Sequence, residues 1–165
     1  LHQKGGEAMI LNSISSLFKS SDASTILNVI SSVLEKSDEA PFWREKSVPL
    51  CEAVLSVLIP LRAQNLLFDP EGNPHSDLSP ELFLRWCDLY SLRVLAFTLA
   101  KSNDAGKLVR TKTDTDAYQP IDLEILGKYL SSYSVNLENE MVDFPVTNYN
   151  LHIGMTTLLT KILKG

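Results

Sequence analysis

Sulfur, imidazole and glycine are all sparse in this chain of 165 residues, and each shortage excludes a class of chemistry. Its two cysteines, Cys51 and Cys87, stand singly among apolar neighbours. They form neither a disulfide framework nor a Cys-x-x-Cys pair, and free cysteine packs as a small hydrophobe. A reducing compartment is expected. The three histidines, His2, His75 and His152, are scattered, and none stands with Cys or His at metal-ligand spacing. Gly5-Gly6 stands alone, and no glycine precedes Lys-Ser or Lys-Thr, so no phosphate cradle is present. No G-x-S-x-G elbow presents a serine nucleophile. Alternating apolar and polar residues never run long enough to make a strand. Basic residues are outnumbered, 15 Lys and Arg against 20 Asp and Glu, which disfavours a surface made for phosphate backbones.

What is present is apolar and helical. The stretch from Phe42 to Arg62, FWREKSVPLCEAVLSVLIPLR, holds one charged side chain, Glu52, between Val48 and Leu61. A helix apolar nearly all round must be enclosed by other elements. Glu52 and two prolines make it a poor membrane span. It is expected to be the central helix, residues 42–62, of a single all-α domain over 1–165. Val54, Leu58 and Leu61, with the large aromatics Trp43 and Trp86, are the expected core. Pro49 and Pro60 predict a kink, a fresh helix start or an end.

Six or seven helices are expected around that centre. Ile10, Leu11, Ile14, Leu17 and Phe18 share one helical face, as do Ile26, Val29, Ile30, Val33 and Leu34. Asp22 is among the capping candidates between them. Asp-Pro, Gly-Asn-Pro and Ser-Asp mark residues 64–79 as a loop. Ser79-Pro80-Glu81 is a helix start, and Asp88 opens the next segment, with Leu92, Leu95, Ala96 and Leu99. Residues 103–119 lack a period and read as a loop. Pro120 and Asp122 begin a helix carrying Leu123, Leu126, Leu130 and Tyr133. An irregular stretch over 134–147 precedes a last helix with Leu151, Met155, Leu158, Leu159 and Ile162.

Charge is segregated late in the chain. Lys101, Lys107, Arg110 and Lys112 face a single acid, Asp104, in their stretch, and residues 113–143 are acidic. The basic four are the candidate partner-binding residues, able to steer a charged partner. Catalytic, cofactor-binding and metal-binding residues are not identified.

The order of these pieces resembles the all-α domain of type IV secretion coupling proteins, in the DotL/TrbC-like branch of the TraD-type coupling ATPases. The matching residues are MILNSISSLFKS, Phe42-Trp43 with Lys46, the apolar run ending in Leu61-Arg62, then Asp88-Leu89 and Leu126-Gly127-Lys128-Tyr129-Leu130. Pro49 and Pro60 depart from a continuous family helix, and 103–119 has no counterpart. The resemblance implies a piece inserted into a larger bacterial ATPase, hexameric and anchored in the inner membrane, whose ATP and Mg site lies outside this chain. The domain would face the cytoplasm, would not be an enzyme or touch the membrane, and would dock substrates. These are relaxase and relaxosome proteins in conjugation and plasmid transfer, or effectors in secretion. A stand-alone α-helical protein-interaction domain is the alternative, and a direct DNA-binding module using the basic four is a further one.

Overall fold

Twenty-three residues, Pro41–Ala63, form one uninterrupted helix in a computed structural model of the chain, which describes residues 14–38, 40–102, 119–133 and 146–164. All seven helices described are α, and no strand lies among the described residues. They are α1 (14–20), α2 (Ala23–Glu35), α3 (Pro41–Ala63), α4 (Pro80–Trp86), α5 (Leu89–Ser102), α6 (Glu124–Ser131) and α7 (Val146–Lys164). The candidate loop over 103–119 falls outside the described residues except at Gln119. Residues 134–145 also fall outside them, and Val146 and Thr147, expected to be irregular, are helical.

The central helix starts on Pro41, whose missing N–H costs nothing at the first helical position. Pro49 and Pro60 lie inside α3 without ending it, so of the expected kink, fresh start or end, neither the fresh start nor the end occurs. Each removes a backbone hydrogen bond, at roughly 3 kcal/mol in a helix interior. The opposing term is larger. Leu50, Val54, Leu55, Val57, Leu58 and Leu61 are all buried, and each such side chain contributes about 1.5–3 kcal/mol. Pro49 itself is exposed, so water can reach the carbonyl it leaves unpaired. Buried Ser47 is satisfied within the helix, donating from Oγ to the Trp43 carbonyl at 2.7 Å.

The helices around α3 are fixed by caps and by one arginine. Asp22 Oδ1 accepts from the Thr25 amide at 2.8 Å and starts α2, whose Ile26, Ile30 and Leu34 form the stripe laid on α3. Arg62, in the last turn of α3, donates to the carbonyls of Phe18 (2.8 Å) and Ser21 (2.6 Å). It thereby closes the C-terminal end of α1, where helical carbonyls lack partners. Asn65 adopts φ 59° just after α3, and the Leu66 amide reaches back to the Leu61 carbonyl at 2.9 Å. This is the left-handed stop that turns Leu66, Leu67 and Phe68 inward.

Ser79 accepts from the Leu82 amide at 3.1 Å to begin α4, and Asp88 accepts from the Ser91 amide at 3.0 Å to begin α5, both as the sequence predicts. Residues 120–122 differ from expectation. They run ahead of α6 as irregular chain, with Asp122 accepting from the Glu124 amide at 2.9 Å and Ile121 buried. Gln64 and the backbone of Gln119 exchange two hydrogen bonds, at 2.9 and 2.6 Å, tying the approach to α6 to the end of α3. Packed on α3 are α2, α4, α6 and α7, and one hydrophobic cluster joins all seven helices.

Candidate partner-docking groove

The basic stretch singled out in the sequence does not supply a described surface. Lys101 lies in the last turn of α5, and Lys107, Arg110 and Lys112 lie outside the described residues. Of the expected core residues, Val54, Leu58, Leu61 and Trp86 are buried, but Trp43 is only half-buried. Trp43 sits at the margin of the core because its indole spreads over the surface of α7 at Gly154. A Cβ placed on Gly154 would stand 2.4 Å from two ring carbons of Trp43. Only glycine permits this approach.

A groove of about 580 Å³ opens between α3, α6 and α7. Lys46, Pro49 and Glu52 recur every three residues on α3 and form one wall, all three exposed. The other wall is α6, with Glu124, Ile125 and Lys128 at the rim and Tyr129 deeper. Leu151 and Met155 of α7 close the floor. Ile125 leaves 45% of its surface exposed, although it borders an apolar floor. The ion pairs among the described residues are those of Asp69, Glu71, His75 and Arg85, and Lys46, Glu52, Glu124 and Lys128 form none there. Lys46 stands over the Phe42 ring, 5.8 Å from its centroid.

At the floor and behind it, a set of polar groups is held uncharged. The Tyr129 and Tyr133 hydroxyls are 3.1 Å apart, and burial pushes the pKa of both upward. His152, 2% exposed, lies edge-on to the Tyr133 ring and donates from Nε2 to the Cys87 carbonyl. A carbonyl only accepts, so Nε2 carries the proton and Nδ1 is a bare acceptor. That Nδ1 is buried without a partner, and burial lowers the pKa of the ring. Cys51 is pushed up to about 12 by burial, and Cys87 is raised by burial and by Cys51. Thiols and a neutral imidazole sealed from solvent are packing groups; nucleophilic catalysis needs a thiolate within reach of substrate.

A second polar cluster orders the loop between α3 and α4. Asp69, 5% exposed, accepts from the amides of Glu71 (2.9 Å) and Asn73 (3.0 Å) through Oδ1. Its Oδ2 meets His75 Nε2 at 2.9 Å and Arg85 at 3.4 Å, and Arg85 also pairs with Glu71. Burial opposes the Asp69 charge, but the His75 contact, the two amides and Arg85 outweigh it and hold its pKa below the ordinary carboxylate range. Every side of that carboxylate is occupied, and its work is to shape the loop. Phe68 then offers its carbonyl to Trp86 Nε1 at 2.8 Å and its ring edge-on to the same indole. The turn residues of DPEGNPH, with Gly72 at φ 82°, mark a loop in the sequence, but not the buried acid at its centre.

Sequence inspection missed the groove because its walls come from three helices far apart in the chain. The signal available was the exposed repeat Lys46–Pro49–Glu52 on an otherwise apolar helix. Among the described residues, no three His, Cys, Asp or Glu side chains are grouped to hold a metal ion. No described helix is long and apolar enough to cross a membrane. Comparison of the chain with protein-family models, with curated proteins and with solved structures finds no match.

Proposed function

We propose that this chain is the substrate-docking, all-α domain of a type IV secretion coupling protein, and that the α3–α6–α7 groove receives its protein cargo. The groove is the observation that carries the docking role: an apolar floor rimmed by four charges that form no ion pair among the described residues. Buried apolar contact with a polar rim is what protein recognition uses. The link to secretion rests on the resemblance of Phe42-Trp43, Lys46 and the run to Leu61-Arg62. Cargo would be a relaxase, a relaxosome component or an effector. ATP and Mg would act in the parent hexamer at the inner membrane, and this domain would present cargo on the cytoplasmic side without catalysing a reaction.

Protein is favoured over DNA by the same rim. Glu52 and Glu124 stand beside Lys46 and Lys128, so a polyanion entering the groove meets as many acids as bases. A stand-alone interaction domain would use the groove in the same way but would lack a Walker A motif in its flanking sequence. The test is calorimetric titration at about 150 mM salt. The purified chain is expected to bind the relaxase or effector transferred by its parent system, and to bind duplex or single-stranded DNA more weakly than micromolar. Sub-micromolar DNA binding with no protein binding would overturn the proposal.

A further inference from the structure

We infer that the occupant of the α3–α6–α7 groove is an amphipathic helix of the partner, with an apolar stripe flanked by at least one acidic and one basic residue. This rests on the docking reading above and specifies the chemistry that the groove recognises.

The walls select the form of the occupant. Extended peptides are usually captured by pairing with an exposed strand edge. All three walls here are helices, whose amides and carbonyls are bonded within each helix except where Pro49 leaves the Glu45 carbonyl without its helical donor. A partner backbone therefore has little to pair with at the walls, and must bring its own hydrogen bonds satisfied. A helix does so, and its i, i+3, i+4, i+7 side chains can descend between α3 and α6. The floor suits apolar anchors of varied shape. Met155 is unbranched and adaptable, and Leu151 and Tyr129 lie beside it half-buried. Ile125, exposed at the lip, supplies apolar surface that such a helix would cover.

Charge selects the sequence of the occupant. Each wall carries one base and one acid. Lys46 and Glu52 are six residues apart on α3, about 9 Å along the axis, and Glu124 and Lys128 are one turn apart on α6, about 6 Å. A tail of a single sign would find a repelling charge on either wall. A helix bearing both signs beside its apolar stripe can satisfy both, and each rim pair adds specificity more than affinity.

The experiment uses the full chain, immobilised, to select from a displayed library of random peptides long enough to form several helical turns. Enriched peptides are expected to show apolar residues at i, i+3 or i+4, and i+7, with Asp or Glu and Lys or Arg on the flanks. Replacing both lysines, Lys46→Glu with Lys128→Glu, should weaken the selected peptides roughly tenfold, about 1.4 kcal/mol. Reselection on that variant should replace their acids by bases. Both substituted side chains are exposed, and the one contact given up is that of Lys46 with the exposed Phe42 ring, so the variants should keep the parental circular dichroism spectrum and nearly the parental melting temperature. Proline-rich or alternating extended peptides, uniformly acidic peptides, or selection indifferent to the charge reversal would overturn the inference. If the cargo protein binds but no selected helix competes with it, docking stands and the helical occupant falls. If neither protein nor peptide binds, both fall.

Discussion

The Trp43 indole rests directly on the backbone of Gly154, joining the first turn of α3 to the middle of α7. The two residues are 111 positions apart, and their contact sets how closely α3 and α7 approach. A Cβ at 154 would overlap the ring, standing 2.4 Å from it. Two effects oppose each other in Gly154→Ala. Alanine gains about 1 kcal/mol of helix propensity over glycine, whereas overpacking a close contact costs typically about 1–3 kcal/mol. The bulky ring cannot turn aside cheaply, so the net change should destabilise. In a Trp43→Ala background the clash is gone, and the same substitution should become neutral or stabilising. Urea denaturation of the four proteins checks this double-mutant cycle, and additive effects would refute the contact.

Leu58, wholly buried in the C-terminal half of α3, tests the core. Leu58→Ala should cost about 2–5 kcal/mol, the range for deleting a buried leucine side chain. Val94→Ala, at a position 55% exposed on α5, should change stability by less than about 0.5 kcal/mol. Thermal melts of both variants make the comparison, and equal losses would contradict the burial of α3.

His152 predicts a pH dependence with a definite sign. Its folded pKa is lowered by burial, so the unfolded chain binds the proton more readily. The stability it contributes is therefore complete above the unfolded value near 6.5, and falls as pH drops below that toward the folded value. His152→Gln keeps a donor for the Cys87 carbonyl but cannot titrate. Urea midpoints across that window should slope for the parent and be flatter for the variant. Parallel curves would show that the ring is not buried neutral.

Asp69 acts lower on the pH scale. Its folded pKa lies below the ordinary value near 3.9, so its contribution is present above that value and is lost as pH falls through the folded one. Asp69→Asn removes the charge that His75 and Arg85 meet and disturbs the Glu71 and Asn73 amide bonds. A loss of about 1–3 kcal/mol at neutral pH is expected, with a shallower acid limb. Arg85 is 42% exposed and can return to water, so the loss should not approach that of a stranded buried charge.

The helices were legible where local physics decides them. Asp22, Ser79 and Asp88 cap the helices that their positions predict, and Ile26, Ile30 and Leu34 face inward as their spacing requires. A fresh start or an end at the prolines of α3 does not occur, because local rules weigh one lost hydrogen bond while enclosure by four neighbouring helices decides whether the helix continues. Trp43 misled for a related reason: size and apolarity favour burial, but its place is set by a glycine in α7. Asp69, His152 and the groove depend on side chains brought together across long separations, and no period in the chain announces them. The Lys101–Lys112 cluster drew attention through composition alone, and three of its four members lie outside the described residues.

Cargo binding to lip variants of the groove measures the docking role most directly. Ile125→Arg places a charge at the exposed lip of the α6 wall, and Val94→Arg places the same charge on exposed α5, outside the groove lining. Both should fold with the parental melting temperature. Titrated with the same relaxase or effector, the Ile125 variant should lose about 2 kcal/mol of binding or more, roughly 30-fold, as expected for an interface anchor. The Val94 variant should bind as the parent does. Equal affinity for all three proteins, or a loss confined to the Val94 variant, would show that cargo does not enter between α3, α6 and α7.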